Sequence, residues 1–277
     1  DVVDLSDRPV AQAQIEAEAL AQGLFARTFD LDAGRLAAFL VVKEAADQHL
    51  IAICTHHIIS DAGSLDLLFR EFAALSAAEA TSAPPALAPV ENSYAEYAAR
   101  EARWLQSEAF HDQVAYWKGA LQGAAPLLEL PTDRPRPSEA ANHGRRWNGA
   151  LDGELIAKLS QLASAHGATQ FEILMAAWQT LVHRYSGQTD VVVGATVSDR
   201  DDAGFPDVVG CFVNTVPMRT SFDGDPSFAA VIDRVKSSVR SALSHRQLPF
   251  DQLVRAIQAP RRRDHAPVFQ VMFSMQP

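Results

Sequence analysis

The chain has 277 residues, enough for two ordinary domains or one large two-lobed one. Hydrophobic residues make up 48% and charged residues 21% of it, proportions that exclude a disordered or collagen-like chain. Acidic residues outnumber basic ones, 34 to 24, for a formal net charge of −10. That balance argues against nucleic-acid and anionic-membrane partners, because neutralising phosphates takes a concentrated cationic face.

Taken in order, the elements alternate in type, which predicts an α/β fold. Val10–Phe25 is rich in Ala and Glu and reads as a helix. Residues 35–42 and His49–Thr55 are short apolar strands separated by a charged turn. Residues 64–78 place Leu65, Leu68, Phe69 and Phe72 on one stripe of an amphipathic helix. Residues 81–90 carry prolines that forbid a helix, and one long helix is expected over 93–121. Three prolines between 131 and 137 mark a stiff crossover. Beyond it the pattern restarts with a strand over 145–151 and a helix over 154–165 stopped by Gly167. A helix over 169–185 opens on a Thr169/Glu172 capping box, and a buried strand follows over 191–197. A helix from an Asp225-Pro226 start, a short helix over 249–258 and a last strand over 268–275 complete the chain.

Cys54 and Cys211 lie far apart without CxxC spacing, which excludes a disulfide framework and a cysteine zinc site and fits a reducing compartment. No apolar stretch approaches the roughly 18 residues of a membrane span. The chain shows no secretory leader and opens at Asp1 rather than methionine, so it reads as a cytoplasmic protein and a piece of a longer one.

The chemistry concentrates in residues 51–64, IAICTHHIISDAGS. A strand delivers His56 and His57 into a turn, with Asp61 four residues past the second. Side chains alternate along a strand, so His56 and His57 are expected to face opposite ways, one structural and one reactive, which argues against a shared metal. A neutral imidazole can take a proton from an amine or hydroxyl near neutral pH. Asp61 is placed to orient a histidine or to pair with a distant arginine. Both histidines being structural is an equally plain reading of the residues alone. No GxSxG, GxxxxGK[ST], GxGxxG or HExxH pattern occurs, and Cys54 reads as core.

HHIISDAGS resembles the HHxxxDGxS motif of condensation domains of nonribosomal peptide synthetases, in the chloramphenicol acetyltransferase-like superfamily. Six further stretches are similar to that family in its order: SYAEYAAREARW from Ser93, LELPTDRPRP from Leu128, DVVVGATVSDR from Asp190, GCFVNT from Gly210, HRQLPF from His245 and PVFQVMF from Pro267. The family's opening stretches and those expected after the last of these are missing, Ala62 stands where the family has glycine, and Asp251 replaces its glutamate. The resemblance implies two chloramphenicol acetyltransferase-like lobes in a V-shaped pseudo-dimer, both incomplete. They comprise an N-terminal lobe over 1–125, a proline-rich crossover over 126–145 and a C-terminal lobe over 146–277. It implies amide-bond formation between an upstream acyl or peptidyl thioester and the amine of a downstream aminoacyl thioester. His57 is then the reactive histidine, His56 the structural one, and Asp61 an architectural acid paired with Arg200. Ser60, Gly63, Ser64 and Asn214 are expected along the substrate tunnel. No cofactor or metal is expected on the domain, because substrates ride on the phosphopantetheine arms of upstream and downstream peptidyl carrier proteins, beside an adjacent adenylation domain. The competing readings are an epimerisation domain, against which Leu65 stands where those carry an aromatic residue, and a degenerate docking domain that binds carriers without catalysis.

Overall fold

A computed structural model describes residues 1–135, 137, 144–260 and 262–275. It divides into two units, one of Asp1–Tyr97 with Phe205–Phe212, the other of Ala98–Gly204 with Val213–Pro277. The proline-rich stretch at 126–145 thus belongs to the second unit, in part outside the described residues.

In the first unit, β1 (Val2–Asp4), β2 (Ala37–Lys43) and β3 (His49–Thr55) form a sheet in the order β1-β2-β3. β2 runs antiparallel to β3, with Ala37 opposite Thr55, and parallel to β1. Ala38, Leu40 and Val42 alternate inward along β2, as the two-residue period of a strand requires. Across them lies α1 (Val10–Phe25), which buries Ala13, Ala17 and Ala21. That i, i+4, i+8 spacing lines up methyl groups on one stripe, so the helix backbone can approach the sheet closely. α2 (Ala62–Thr81) follows β3 after a six-residue turn, 56–61.

The first unit also gathers four aromatic rings. Tyr94 and Tyr97 open α3 (Tyr94–Trp104), and Phe205 and Phe212 bracket the returning segment. Tyr97 packs on Phe212 at 4.7 Å between centroids and on Phe205 at 5.6 Å, while Tyr94 meets Phe212 edge-on at 5.3 Å.

The second unit is built on β4 (Asp190–Ser198), β5 (Val213–Ser221) and β6 (Met272–Phe273), in the order β5-β4-β6. β4 and β5 pair antiparallel, Val193 opposite Met218, and β4 and β6 pair parallel. α4 (Glu108–Ala120), α5 (Gly153–Ala165), α6 (Gln170–Ser186), α7 (Phe228–Ser244) and α8 (Phe250–Ala256) complete it. Its core runs through Ile173, Met175, Val191, Val193, Met218 and Ile232, all nearly or wholly buried. The expected capping box is present at α6, with Thr169 and Glu172 each bonding the other's backbone N–H.

Four expectations change, and one strand is unanticipated. The single helix over 93–121 is two, because Ser107 leaves the helix and caps α4 through Phe110 N–H. Residues 145–151 form no strand and are exposed. The last strand shrinks to two residues because Val268, at φ 71°, turns the chain out of extended geometry. α7 is capped by Ser227, since Asp225 adopts a left-handed φ of 49°. β5 carries Pro217, Arg219 and Ser221, a composition that hides a strand; as the end strand of its sheet it tolerates the proline's missing donor.

Candidate active site

β3 ends at Thr55, so both histidines lie beyond the strand in the 56–61 turn, and the strand alternation expected to separate them does not apply. What separates them is their hydrogen bonding. His57 Nδ1 sits 2.7 Å from the Ser60 carbonyl. A carbonyl only accepts, so Nδ1 carries the proton and the neutral ring has its lone pair on Nε2. His56 is the reverse: its Nδ1 accepts from the Ile58 N–H at 3.1 Å, so its proton is on Nε2. His56 is half-buried and meets Phe29 edge-on, whereas His57 is exposed. The two neighbours are thus held as opposite tautomers by their own turn. A second contact reaches His57 from a distant part of the sequence, the Cys211 sulfur at 3.8 Å from Nδ1.

Asp61 is 4% exposed and ends the turn as the N-cap of α2. Its Oδ1 accepts from the Ser64 N–H and lies the same 2.8 Å from the Ser64 hydroxyl, and its Oδ2 accepts from the Phe212 N–H at 2.9 Å. A carboxylate at a helix N-terminus also meets the positive end of the helix dipole. Ser64, wholly buried, accepts from the Gly210 N–H at 3.0 Å and lies 2.7 Å from the Gly210 carbonyl. Its single proton therefore serves either that carbonyl or Asp61. Tyr94 donates its hydroxyl to the Cys211 carbonyl at 2.8 Å. Residues 210–212 are in this way tied to the start of α2, and Cys211 arrives beside His57. Ala62 opens α2 with no positive φ, so the turn does not need the glycine that the family carries there.

The other expected site residues are placed as follows. Ser60 is buried, with its hydroxyl 2.5 Å from that of Thr55. Gly63 is exposed in the first turn of α2. Arg200, in the second unit, is 7% exposed just past β4. Asn214, on β5, gives both amide protons to carbonyls, of Arg246 and Leu248, at 2.7 Å each, and accepts from Phe250 N–H at 3.1 Å. It braces the 246–250 loop. The same loop is held by Gln113, which accepts from Leu248 N–H, and by Trp117, which donates to the His245 carbonyl. Tyr116 stacks on His245 at 3.5 Å. Arg246 in turn pairs with Asp199 and Asp202 on either side of Arg200. The sequence reading missed Thr55, Cys211 and Arg246 as partners; the stretches GCFVNT and HRQLPF contain the last two. Among the described residues no three His, Cys, Asp or Glu side chains gather as a metal site, and no helix is long and apolar enough to cross a membrane.

The architecture and the turn define the class, an α/β protein that presents one exposed histidine with its tautomer fixed by the Ser60 carbonyl. Residues 1–277 match the family model for the condensation domain, and the chain belongs to that family. It is 40% identical over 277 residues to a linear gramicidin synthase of Brevibacillus parabrevis, spanning 100% of this chain and 5% of that protein. It is 36% identical over 250 residues to the phosphinothricin tripeptide synthetase PhsC of Streptomyces viridochromogenes, 90% of this chain and 23% of that one. Among solved structures it resembles the X-domain from teicoplanin biosynthesis, at a TM-score of 0.84 and 28% identity over 98% of this chain and 60% of that one. The fold is also that of the first condensation domain of the calcium-dependent antibiotic synthetase, at a TM-score of 0.73 and 23% identity over 99% and 60% of the two chains. The chain therefore spans a small fraction of the curated relatives, and about three fifths of the domains solved.

Proposed function

We propose that this segment forms an amide bond between two carrier-bound thioesters in a nonribosomal peptide synthetase, with His57 as the proton acceptor. The amine nitrogen of the downstream aminoacyl thioester attacks the upstream acyl carbonyl. The new C–N bond forms, the amine proton passes to His57 Nε2, and the C–S bond breaks to release the upstream thiol, which recovers a proton. A thioester is already activated, so positioning and proton handling carry the reaction, and a covalent enzyme intermediate is unnecessary. The observation that supports this most is the His57 Nδ1 to Ser60 carbonyl bond, which leaves Nε2 as the basic nitrogen of an exposed residue. The substrates arrive on phosphopantetheine arms of upstream and downstream carrier proteins, with an adenylation domain adjacent, in a cytoplasmic synthetase.

The same reading places the chain in two chloramphenicol acetyltransferase-like lobes of a V-shaped pseudo-dimer, each incomplete here. It pairs Asp61 with Arg200, both buried charges, as an architectural ion pair. Removing either partner strands the other charge, so Asp61→Ala and Arg200→Ala should each destabilise the protein while the double mutant loses less than their sum. Ser60, Gly63, Ser64 and Asn214 border the substrate path in this reading.

The test is condensation between two loaded carrier proteins by the intact synthetase module. His57→Gln should lower amide formation by about 100-fold or more at unchanged melting temperature, while His56→Ala should lower the melting temperature. Near-normal turnover by His57→Gln removes base catalysis from the proposal. A second reading, a docking domain without condensation activity, draws support from the likeness to the teicoplanin X-domain, which is also solved in a complex with OxyB. Wild-type modules that bind both carriers yet make no amide would favour it.

A further inference from the structure

We propose that Thr55 is a positioning residue for the condensation reaction, acting through a hydroxyl clasp with Ser60 that holds His57 in its proton-accepting tautomer. This rests on the assignment of His57 as the proton acceptor. Thr55 is the last residue of β3 and Ser60 the last but one of the turn, so the 2.5 Å contact between their hydroxyls closes the loop that carries both histidines. Ser60 is 3% exposed, and a buried hydroxyl is held in place by the partner it has. The backbone carbonyl of that same Ser60 receives the His57 Nδ1 proton. Fixing the Ser60 side chain at the strand end therefore fixes the acceptor that selects the tautomer of His57.

The selection is not guaranteed by the ring itself. The two tautomers of a free imidazole lie close in energy, and the Cys211 sulfur waits 3.8 Å from the same nitrogen. His56, one residue earlier, is held with its proton on the other nitrogen by the Ile58 N–H. The turn's backbone thus specifies opposite tautomers at adjacent positions, and a shift of the Ser60 carbonyl would release only His57. Thr55 is not among the residues placed along the substrate path. Its role is to keep the carbonyl where the ring needs it, and misplacement of a reacting group by as little as 1 Å can lower a rate by about 100-fold.

The test uses the intact synthetase module and four variants. Thr55→Val keeps the shape and removes the hydroxyl; it should lower kcat about tenfold while KM for both carriers stays within about twofold. Thr55→Ser restores the hydroxyl and should return kcat to near the wild-type value. Thr55→Val/Ser60→Ala removes both hydroxyls, so no orphaned group remains; kcat should stay low if position is what matters. His57→Gln run alongside shows whether the histidine itself is needed. A readout independent of turnover is the nitrogen NMR spectrum of histidine-labelled protein. Wild-type His57 should show Nε2 as the unprotonated nitrogen at high pH, and Thr55→Val should show the two nitrogens averaged. If Thr55→Val keeps kcat within twofold and an unaveraged His57, or if the double variant recovers full turnover, the clasp does not position the ring. If His57→Gln remains active while Thr55→Val still averages the tautomers, the clasp stands and the catalytic assignment falls.

Discussion

The two units hold themselves together by different means. The first packs α1 on its sheet through alanines, with Leu5, Leu40, Val42 and Ala52 as the larger part of a small core. The second interlocks Ile, Met, Val and Leu side chains from three helices and two strands around Trp117 and Phe222. Close-packed alanines bury little area per residue, and burial contributes roughly 25 cal/mol for each Å² of apolar surface. The first unit adds the Tyr94, Tyr97, Phe205 and Phe212 rings and, around the histidine turn, polar ties, several of which the carboxylate of Asp61 and the hydroxyl of Ser64 supply within one turn of helix. The candidate chemistry is built on a turn whose geometry is set by hydrogen bonds. Directional bonds place a ring more sharply than a greasy core does.

This contrast can be broken by substitutions, and the largest effect belongs to the second core. Ile232→Ala, at a site with no exposure, should destabilise by about 4 kcal/mol through the cavity it leaves, read from the denaturant midpoint at unchanged slope. A loss below about 1 kcal/mol would mean the second core is not close-packed there. Asp61→Ala comes next, at about 3 kcal/mol, because it leaves the Ser64 and Phe212 N–H groups buried without acceptors. Were it neutral, the polar ties of the first unit would not be what holds it. Ala17→Leu should destabilise by about 2 kcal/mol, since a helix resting on methyl groups leaves no room for an isobutyl group. The same enlargement at an exposed α1 position such as Ala11 is the control.

The smallest effect is a pH dependence that belongs to the second unit. Burial alone would raise the pKa of Glu172, but the Thr169 backbone bond and the Arg240 guanidinium outweigh it and hold the carboxyl below its ordinary value. A depressed carboxyl stabilises the fold above the unfolded value, about 4.5, and that contribution is lost as pH falls below it. The stability difference between wild type and Glu172→Gln should therefore be constant from pH 8 to 6 and shrink toward pH 3 in unfolding curves. A difference that grows on acidification would reverse the sign and refute the assignment.

Much of this was legible in the sequence where local chemistry decides. The Ala- and Glu-rich run gave α1 its observed bounds, Thr169 and Glu172 announced their own cap, and HHIISDAGS marked the turn that carries both histidines. What was hidden depends on partners far along the chain. Ser64 and Gly210 are 146 positions apart, and no periodicity links them. β5 was hidden because Pro217 and Arg219 read as loop chemistry, and only its place at the end of the sheet makes them acceptable. The break between α3 and α4 turned on one serine that prefers capping to continuing a helix. The separation of the two histidines was expected for the wrong reason, strand alternation, when backbone acceptors and donors in the turn set it.

Gly210 carries a consequence for how this site can vary. Its restriction is one of space: a Cβ built there would lie 2.1 Å from the Tyr94 ring. The two positions should therefore drift together through descent, each large residue at 210 arriving only in lineages that have already shed the ring at 94. A saturation library at 210 alone should return glycine among functional clones. The same library in a Tyr94→Ala background should admit alanine and serine, turning a fixed position into a permissive one.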